Sequence, residues 1–163
     1  METKGKQKDK TGSPKVLIAY MTYFGNSRKF AETFREKLRS RDFHTELISM
    51  KDGEEPSDDW DVLVLFSPVR IGKVVGKTRK YARKLRTSGK PFALVISHGA
   101  DFDNFFSPVK PAEKLHRKMG KAGMVHFSDP TYIKVLDTEG PPEEDFPQKL
   151  DELANKLLTH LED

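Results

Sequence analysis

Three features of this sequence predict an α/β fold built on a parallel sheet. Continuous apolar runs recur at 15–20, 60–66 and 91–99 ("KVLIAY", "WDVLVLF", "PFALVISHG"), as in strands buried on both faces. Segments with helical spacing of apolar residues separate them, so that strand and helix alternate five times along the chain. Such alternation yields a parallel sheet with helices on both sides. At 163 residues the chain has room for one full core and barely for two.

The elements follow in order. Residues 1–14 alternate lysine with small polar residues and hold nothing to bury, so a disordered basic arm is expected, followed by one domain over 15–163. After the strand at 15–20, Phe30, Ala31, Phe34 and Leu38 form one stripe of a helix running from Ser27 to about Ser40. "FHTELISM" (43–50) alternates like a strand with one less covered face, and an acidic connection leads to the strand at 60–66. "SPVRIGKVVG" (67–76) reads as a loop, and a basic helix is expected over about 76–87 with Tyr81, Ala82 and Leu85 inward. The strand at 91–99 leads into a long polar and aromatic loop, then a helix at 112–123 ended by glycine. "MVHFSDPTYIKV" (124–135) is a last strand with a Ser-Asp-Pro interruption, and leucines at helical spacing close the chain.

Composition narrows the chemistry. There is no cysteine, hence no disulfide, thiolate or Cys-ligated metal, and His44, His98, His116, His126 and His160 are scattered without metal-ligand spacing. No nucleophile–base pair stands out. No apolar run approaches the roughly 20 residues that span a bilayer, and the N-terminus lacks the apolar segment of a secretory signal, so a cytoplasmic protein is expected. Charge is unevenly placed: nine basic residues and no acid lie between Arg70 and Lys90, whereas acids dominate from Glu139 to Asp163. A dipolar surface of this kind can steer an anionic ligand or partner, although a solvated helix face would look the same.

In open parallel sheets, ligands sit beyond the carboxyl ends of the strands where strand order reverses. That rule selects the segments after Tyr20, Phe66 and Ile96. The first, "MTYFGNS", bends from strand to helix through Thr22, Tyr23, Phe24, Gly25, Asn26 and Ser27. Unpaired helix N–H groups, the hydroxyls of Thr22 and Ser27, the Asn26 amide and a permissive Gly25 would together cradle a phosphate. The ordinary alternative is that Gly25 makes a turn and Ser27 caps a helix. Neither Gly-x-Gly-x-x-Gly nor Gly-Lys-Ser/Thr is present. The second segment offers Ser67, Pro68, Val69, Arg70, Ile71 and Gly72, with Ile71 as an apolar flat. The third offers His98, Gly99, Asp101 and Phe102, followed by Phe105 and Phe106; at least one of these phenylalanines is expected in the core.

The hydroxyl-rich "T-x-x-G-N-S" loop, "WDVLVLFSP" leading to "VRIGK", and "ALVISHGAD" together are similar to the flavodoxin family, over about Lys15 to the C-terminus. The resemblance implies a three-layer, doubly wound sheet of five parallel strands in the order 2-1-3-4-5, binding flavin mononucleotide (FMN). It implies a phosphate on Thr22 to Ser27 and an isoalloxazine between 67–73 and 98–106. His98 would donate to the pyrimidine or assist proton transfer, unless it is a structural hydrogen-bonder, and Asp101 would accept from a ribityl hydroxyl or merely shape its loop. The short interruption of the last strand resembles the short-chain branch. The second loop also looks like that of flavodoxin-domain protoporphyrinogen oxidases, with Ile71 following Arg70 rather than preceding it. Phe24 stands where flavodoxin phosphate loops usually carry threonine, and the first loop is assigned no ring-stacking aromatic; Trp60 is expected as strand packing.

The function this implies is electron transfer between redox protein partners that present an acidic docking face, by a monomer with no substrate of its own. Because Arg70 and Lys73 would stand beside the flavin, positive potential would favour its negatively charged reduced form, giving a less negative potential than the family norm. An FMN-dependent oxidoreductase acting on a quinone, porphyrinogen or nicotinamide is the alternative, with Phe105 and Phe106 lining a pocket. A second alternative is a non-redox binding module using the basic helix 76–87. Only Tyr81 is aromatic there, so no sequence-specific nucleic-acid reading is expected. A phosphoacceptor receiver domain of the same strand order is excluded, because Phe66–Ser67 and Met21–Thr22 occupy the places where its aspartates would stand.

Overall fold

A computed structural model of the chain describes residues 13–70, 72–85, 89–99, 106–136 and 140–162. Its elements are β1 (Lys15–Tyr20), α1 (Asn26–Arg39), β2 (His44–Ser49), β3 (Val62–Arg70), β4 (Lys73–Val74), α2 (Gly76–Leu85), β5 (Pro91–His98), α3 (Val109–Lys121), β6 (Val125–His126), β7 (Thr131–Lys134) and α4 (Phe146–Glu162). The basic arm expected over 1–14 falls almost wholly outside the described residues.

The sheet runs β2-β1-β3-β5, with all neighbours parallel. The far edge of β5 is taken twice: β6 pairs with Pro91 and Phe92, and β7 pairs with Val95 to His98. β6 and β7 are thus one strand interrupted at 127–130, and with the short β4 set aside and the main strands counted along the chain, the five parallel strands have the order 2-1-3-4-5. Register places Ile18 of β1 between Leu47 and Val64. Because successive strand residues face opposite sides, Val16, Ile18 and Tyr20 join Phe30, Phe34 and Leu38 of α1 and Leu150, Leu153 and Leu157 of α4. Leu17, Ala19 and Met21 join Tyr81, Ala82 and Leu85 of α2 and Leu115 and Met119 of α3 on the other side. Phe34 meets Phe66 at 5.7 Å and Phe30 meets Phe146 at 4.9 Å between ring centroids. Phe30, Phe34 and Phe66 are fully buried, and each contributes about 1.5–3 kcal/mol.

Two expectations change. The stretch 67–76 is not simply a loop: β3 continues to Arg70 and folds back on β4, pairing Val69 with Val74 and Arg70 with Lys73. Gly72, at φ 72°, sits in the turn between them, and Val74 is buried, so apolar pairing extends the strand past Pro68. The helix expected from 112 begins at Val109, whose N–H donates to Ser107 Oγ at 3.3 Å. Trp60 packs as expected, buried with the Lys90 ammonium 4.1 Å above its ring. Among the described residues, no helix is long and apolar enough to cross a membrane.

Candidate functional site

The carboxyl ends of β1, β3 and β5 lie side by side where strand order reverses. Met21 N–H donates to the Phe66 carbonyl and Met50 N–H to that of Tyr20, both at 2.8 Å, carrying the sheet to its edge. There Gly25 N–H donates to Thr22 Oγ1 at 2.7 Å and closes the bend. Gly25 is the N-cap of α1 with φ 95° and ψ −8°, a left-handed conformation. A Cβ at this position would meet nothing within 4 Å, so glycine is required by dihedral angle rather than by space. The first helical bond runs from Lys29 N–H to the Gly25 carbonyl at 3.0 Å, and no side chain caps the helix. The N–H groups of Asn26, Ser27 and Arg28 therefore have no intrahelical acceptor and carry the positive end of the helix dipole. The cap at Ser27, the ordinary alternative, is not made: its side chain is buried in the first turn, with Oγ 3.4 Å from Ser97 Oγ.

In the second segment Pro68, Val69 and Arg70 face the same space, but Ser67 turns away. Its hydroxyl lies 2.6 Å from Thr78 Oγ1 and donates to the Pro68 carbonyl at 3.0 Å, tying β3 to α2. Gly72 also looks elsewhere, into a groove on the far side of the β3–β4 hairpin. In the third segment His98 is buried with its ring edge-on to Tyr132 at 6.1 Å, and burial pushes the Tyr132 hydroxyl up to about 12. Gly99 is exposed beside it. Ile71, Asp101, Phe102 and Phe105 lie outside the described residues; Phe106 is exposed, with Cδ1 3.8 Å from where a Cβ on Gly72 would stand.

The three segments enclose a cavity of about 270 Å³ lined by Thr22, Tyr23, Phe24, Asn26 and Ser27, by Pro68, Val69 and Arg70, and by His98 and Gly99. Ser97 and Val135 line it too, and sequence reasoning named neither. Ser97 was legible as a hydroxyl at the end of an apolar run; Val135 carries no such mark. The first loop also supplies aromatic surface that the sequence reading did not assign. Tyr23 and Phe24 are 43% and 50% exposed, and the Arg70 guanidinium stands 4.8 Å over the Tyr23 ring. No carboxylate lines the cavity among the described residues, and Arg70 is its only guanidinium or ammonium.

The loop before α4 closes on the first segment. A Cβ on Gly140, where φ is 103°, would stand 3.2 Å from Asn26 Oδ1, so only glycine allows this approach. Glu143 anchors the loop, accepting from Lys149 Nζ at 2.6 Å and Lys134 N–H at 3.1 Å. Burial alone would raise the Glu143 carboxyl, but these partners hold it below its usual range. The arrangement can bind an anion through backbone N–H groups and accommodate a flat ring against aromatic and apolar walls. Among the described residues, no cluster of acids and histidines could hold a metal ion.

No known protein-family profile and no curated sequence matches the chain. Solved structures do. A short-chain flavodoxin associated with a bacterial microcompartment is similar with a TM-score of 0.73 and 16% identity, covering 90% of this chain and 98% of that one. Flavodoxin 1 from Bacillus cereus gives 0.72 and 17%, with the same coverage of 90% and 98%. A Fusobacterium nucleatum flavodoxin, solved bound to flavin mononucleotide, gives 0.64 and 14%, also covering 90% and 98%. The chain has the flavodoxin fold.

Proposed function

We propose that this chain binds FMN in the three-loop cavity and carries electrons between redox protein partners. The observation that carries the proposal is the N-terminus of α1, which no side chain caps, opening at the strand-order reversal into a cavity that no carboxylate lines among the described residues. A dianionic phosphate suits such a terminus, where N–H groups and the helix dipole favour negative charge. The fold is shared with the FMN-bound flavodoxin named above, which supports the choice of ligand.

When bound, FMN supplies reversible one- and two-electron chemistry. The chain's residues hold and tune it. The N–H groups of Asn26, Ser27 and Arg28 bind the phosphate, and the Thr22 hydroxyl fixes the bend that aims them. Tyr23, Phe24, Pro68 and Val69 exclude water from a ring, and His98 and Gly99 border it opposite. Ile71, Asp101 and Phe102 complete the second and third segments. Ser67 and Gly72 act from behind, by holding β3 and its turn. Arg70 places positive charge at the rim. That charge raises the potential relative to an acidic site and favours partners with an acidic docking face.

The test is the visible spectrum of the purified protein, with FMN added where none co-purifies, followed by steady-state assays. Flavin absorbance with fast electron exchange to redox proteins, and no turnover of nicotinamide or quinone alone, is expected. Turnover of such a small substrate would make the protein an oxidoreductase instead.

A further inference from the structure

On the far side of the β3–β4 hairpin, a groove of about 720 Å³ runs between α2 and α3. Arg79 and Arg83 of α2 form one bank, and Lys110, Lys114, Lys118 and Lys121 of α3 form the other. Lys73 of β4 closes the end nearest the hairpin. All of these side chains are exposed, and no carboxylate lines the groove among the described residues. Elsewhere several described cations find acids, among them Lys15 with Asp59, Arg28 with Glu32, Arg41 with Asp151, Lys84 with Glu55 and Lys149 with Glu143. None of the seven groove cations makes such a pair. Arg79 donates only to the Val74 carbonyl, at 3.0 Å. Gathering so many like charges without partners disfavours the folded state, and an anion laid between the banks would offset that repulsion.

We propose that this groove docks an acidic, extended polypeptide segment of a partner protein. Residues four apart on a helix are separated by about 6 Å along the axis, so Lys110, Lys114 and Lys118 recur along α3 at that interval. Carboxylates on alternate residues of an extended chain recur every 6.4–6.8 Å or so, matching the row. The lysine stems and Pro111 line the space between the charges, and the core residues Leu115 and Met119 beneath are already covered. No aromatic side chain lines the groove for base stacking, which disfavours single-stranded nucleic acid. The cations face one another across a concavity rather than a plane, which disfavours a membrane. The groove takes its partner whether or not the cavity across the hairpin holds a cofactor.

The test uses the full chain without added flavin and a fluorescent peptide of about twelve residues alternating Glu and Thr, followed by anisotropy at low and moderate salt. Saturable binding is expected, weakening at least about tenfold between 50 and 200 mM salt, as steering by several charges requires. Lys114→Glu with Lys118→Glu should weaken it by about tenfold or more, because two attractive contacts become repulsive. Lys51→Glu with Lys156→Glu, an equal charge change away from the groove, should alter it less than about twofold. Absence of peptide binding, equal loss in both double variants, or tighter binding of an oligothymidylate of the same charge would overturn the proposal. So would salt-sensitive dimerisation in sedimentation, which would make the occupant a second copy of this chain.

Discussion

Gly25 shows most directly how one dihedral angle sets up the site. Alanine there would have to hold φ 95° with ample room for its Cβ, so the cost is conformational, about 1–2 kcal/mol. Denaturant melts of Gly25→Ala should show that loss, and Gly25→Asn a smaller one, since asparagine enters the left-handed region more readily. Thr78→Val should cost about 1 kcal/mol by removing the buried hydroxyl that faces Ser67. It should leave ligand affinity unchanged, because Ser67 points into the α2 interface and not the cavity. Gly25 and Thr22 could be recognised from the sequence because the bend is local: a glycine and a hydroxyl three residues apart specify it. The direction in which Ser67 points could not, since it depends on Thr78, which only the packing of α2 brings near.

At the level of elements, the last strand and the hairpin mark the limits of the sequence patterns. The Ser-Asp-Pro interruption divided the strand at 124–135 as expected, because both halves keep β5 as their edge. The hairpin was hidden because Pro68 and Gly72 read as loop residues, while the pairing of Val69 with Val74 is a tertiary fact. The same edge of the sheet carries a pH dependence. His116 of α3 packs against Phe92 at 5.1 Å and His126 at 4.7 Å, with Nε2 3.3 Å from the Ser128 carbonyl. Burial lowers its pKa from 6.5, and the positive influence of His126 adds to that, while the Ser128 carbonyl, Asp129 and Glu113 oppose it. With the folded value below the unfolded one, the unfolded chain binds the proton more readily, so stability is complete above about 6.5 and falls as pH drops toward the folded value. His116→Phe should flatten that part of a stability–pH curve measured by urea melts. The steeper loss below about pH 4.5, where Glu143 and other paired carboxylates protonate, should remain.

Across the whole molecule, unbalanced positive charge gathers on one side of the sheet. α2 carries five cations and no acid, whereas α1 and α4 on the opposite face mix cations with acids such as Glu32, Glu36, Asp151 and Glu152. The basic run was visible in the sequence, but its division into a rim at Arg70 and a groove between α2 and α3 needed the fold. Because Arg70 lines the cavity and no carboxylate does so among the described residues, a flavin held there should show a less negative reduction potential than in an acidic site, and Arg70→Glu should lower it. A spectroelectrochemical titration of both forms measures the difference. The most direct test of the central claim is titration of FMN fluorescence with the flavin-free protein. The account predicts saturable one-to-one quenching, weakened about tenfold in Thr22→Val, where the bend that aims the α1 N–H groups loses its hydroxyl. Fluorescence that stays unquenched in excess protein would contradict it, and the loop after β1 would then be a turn and nothing more.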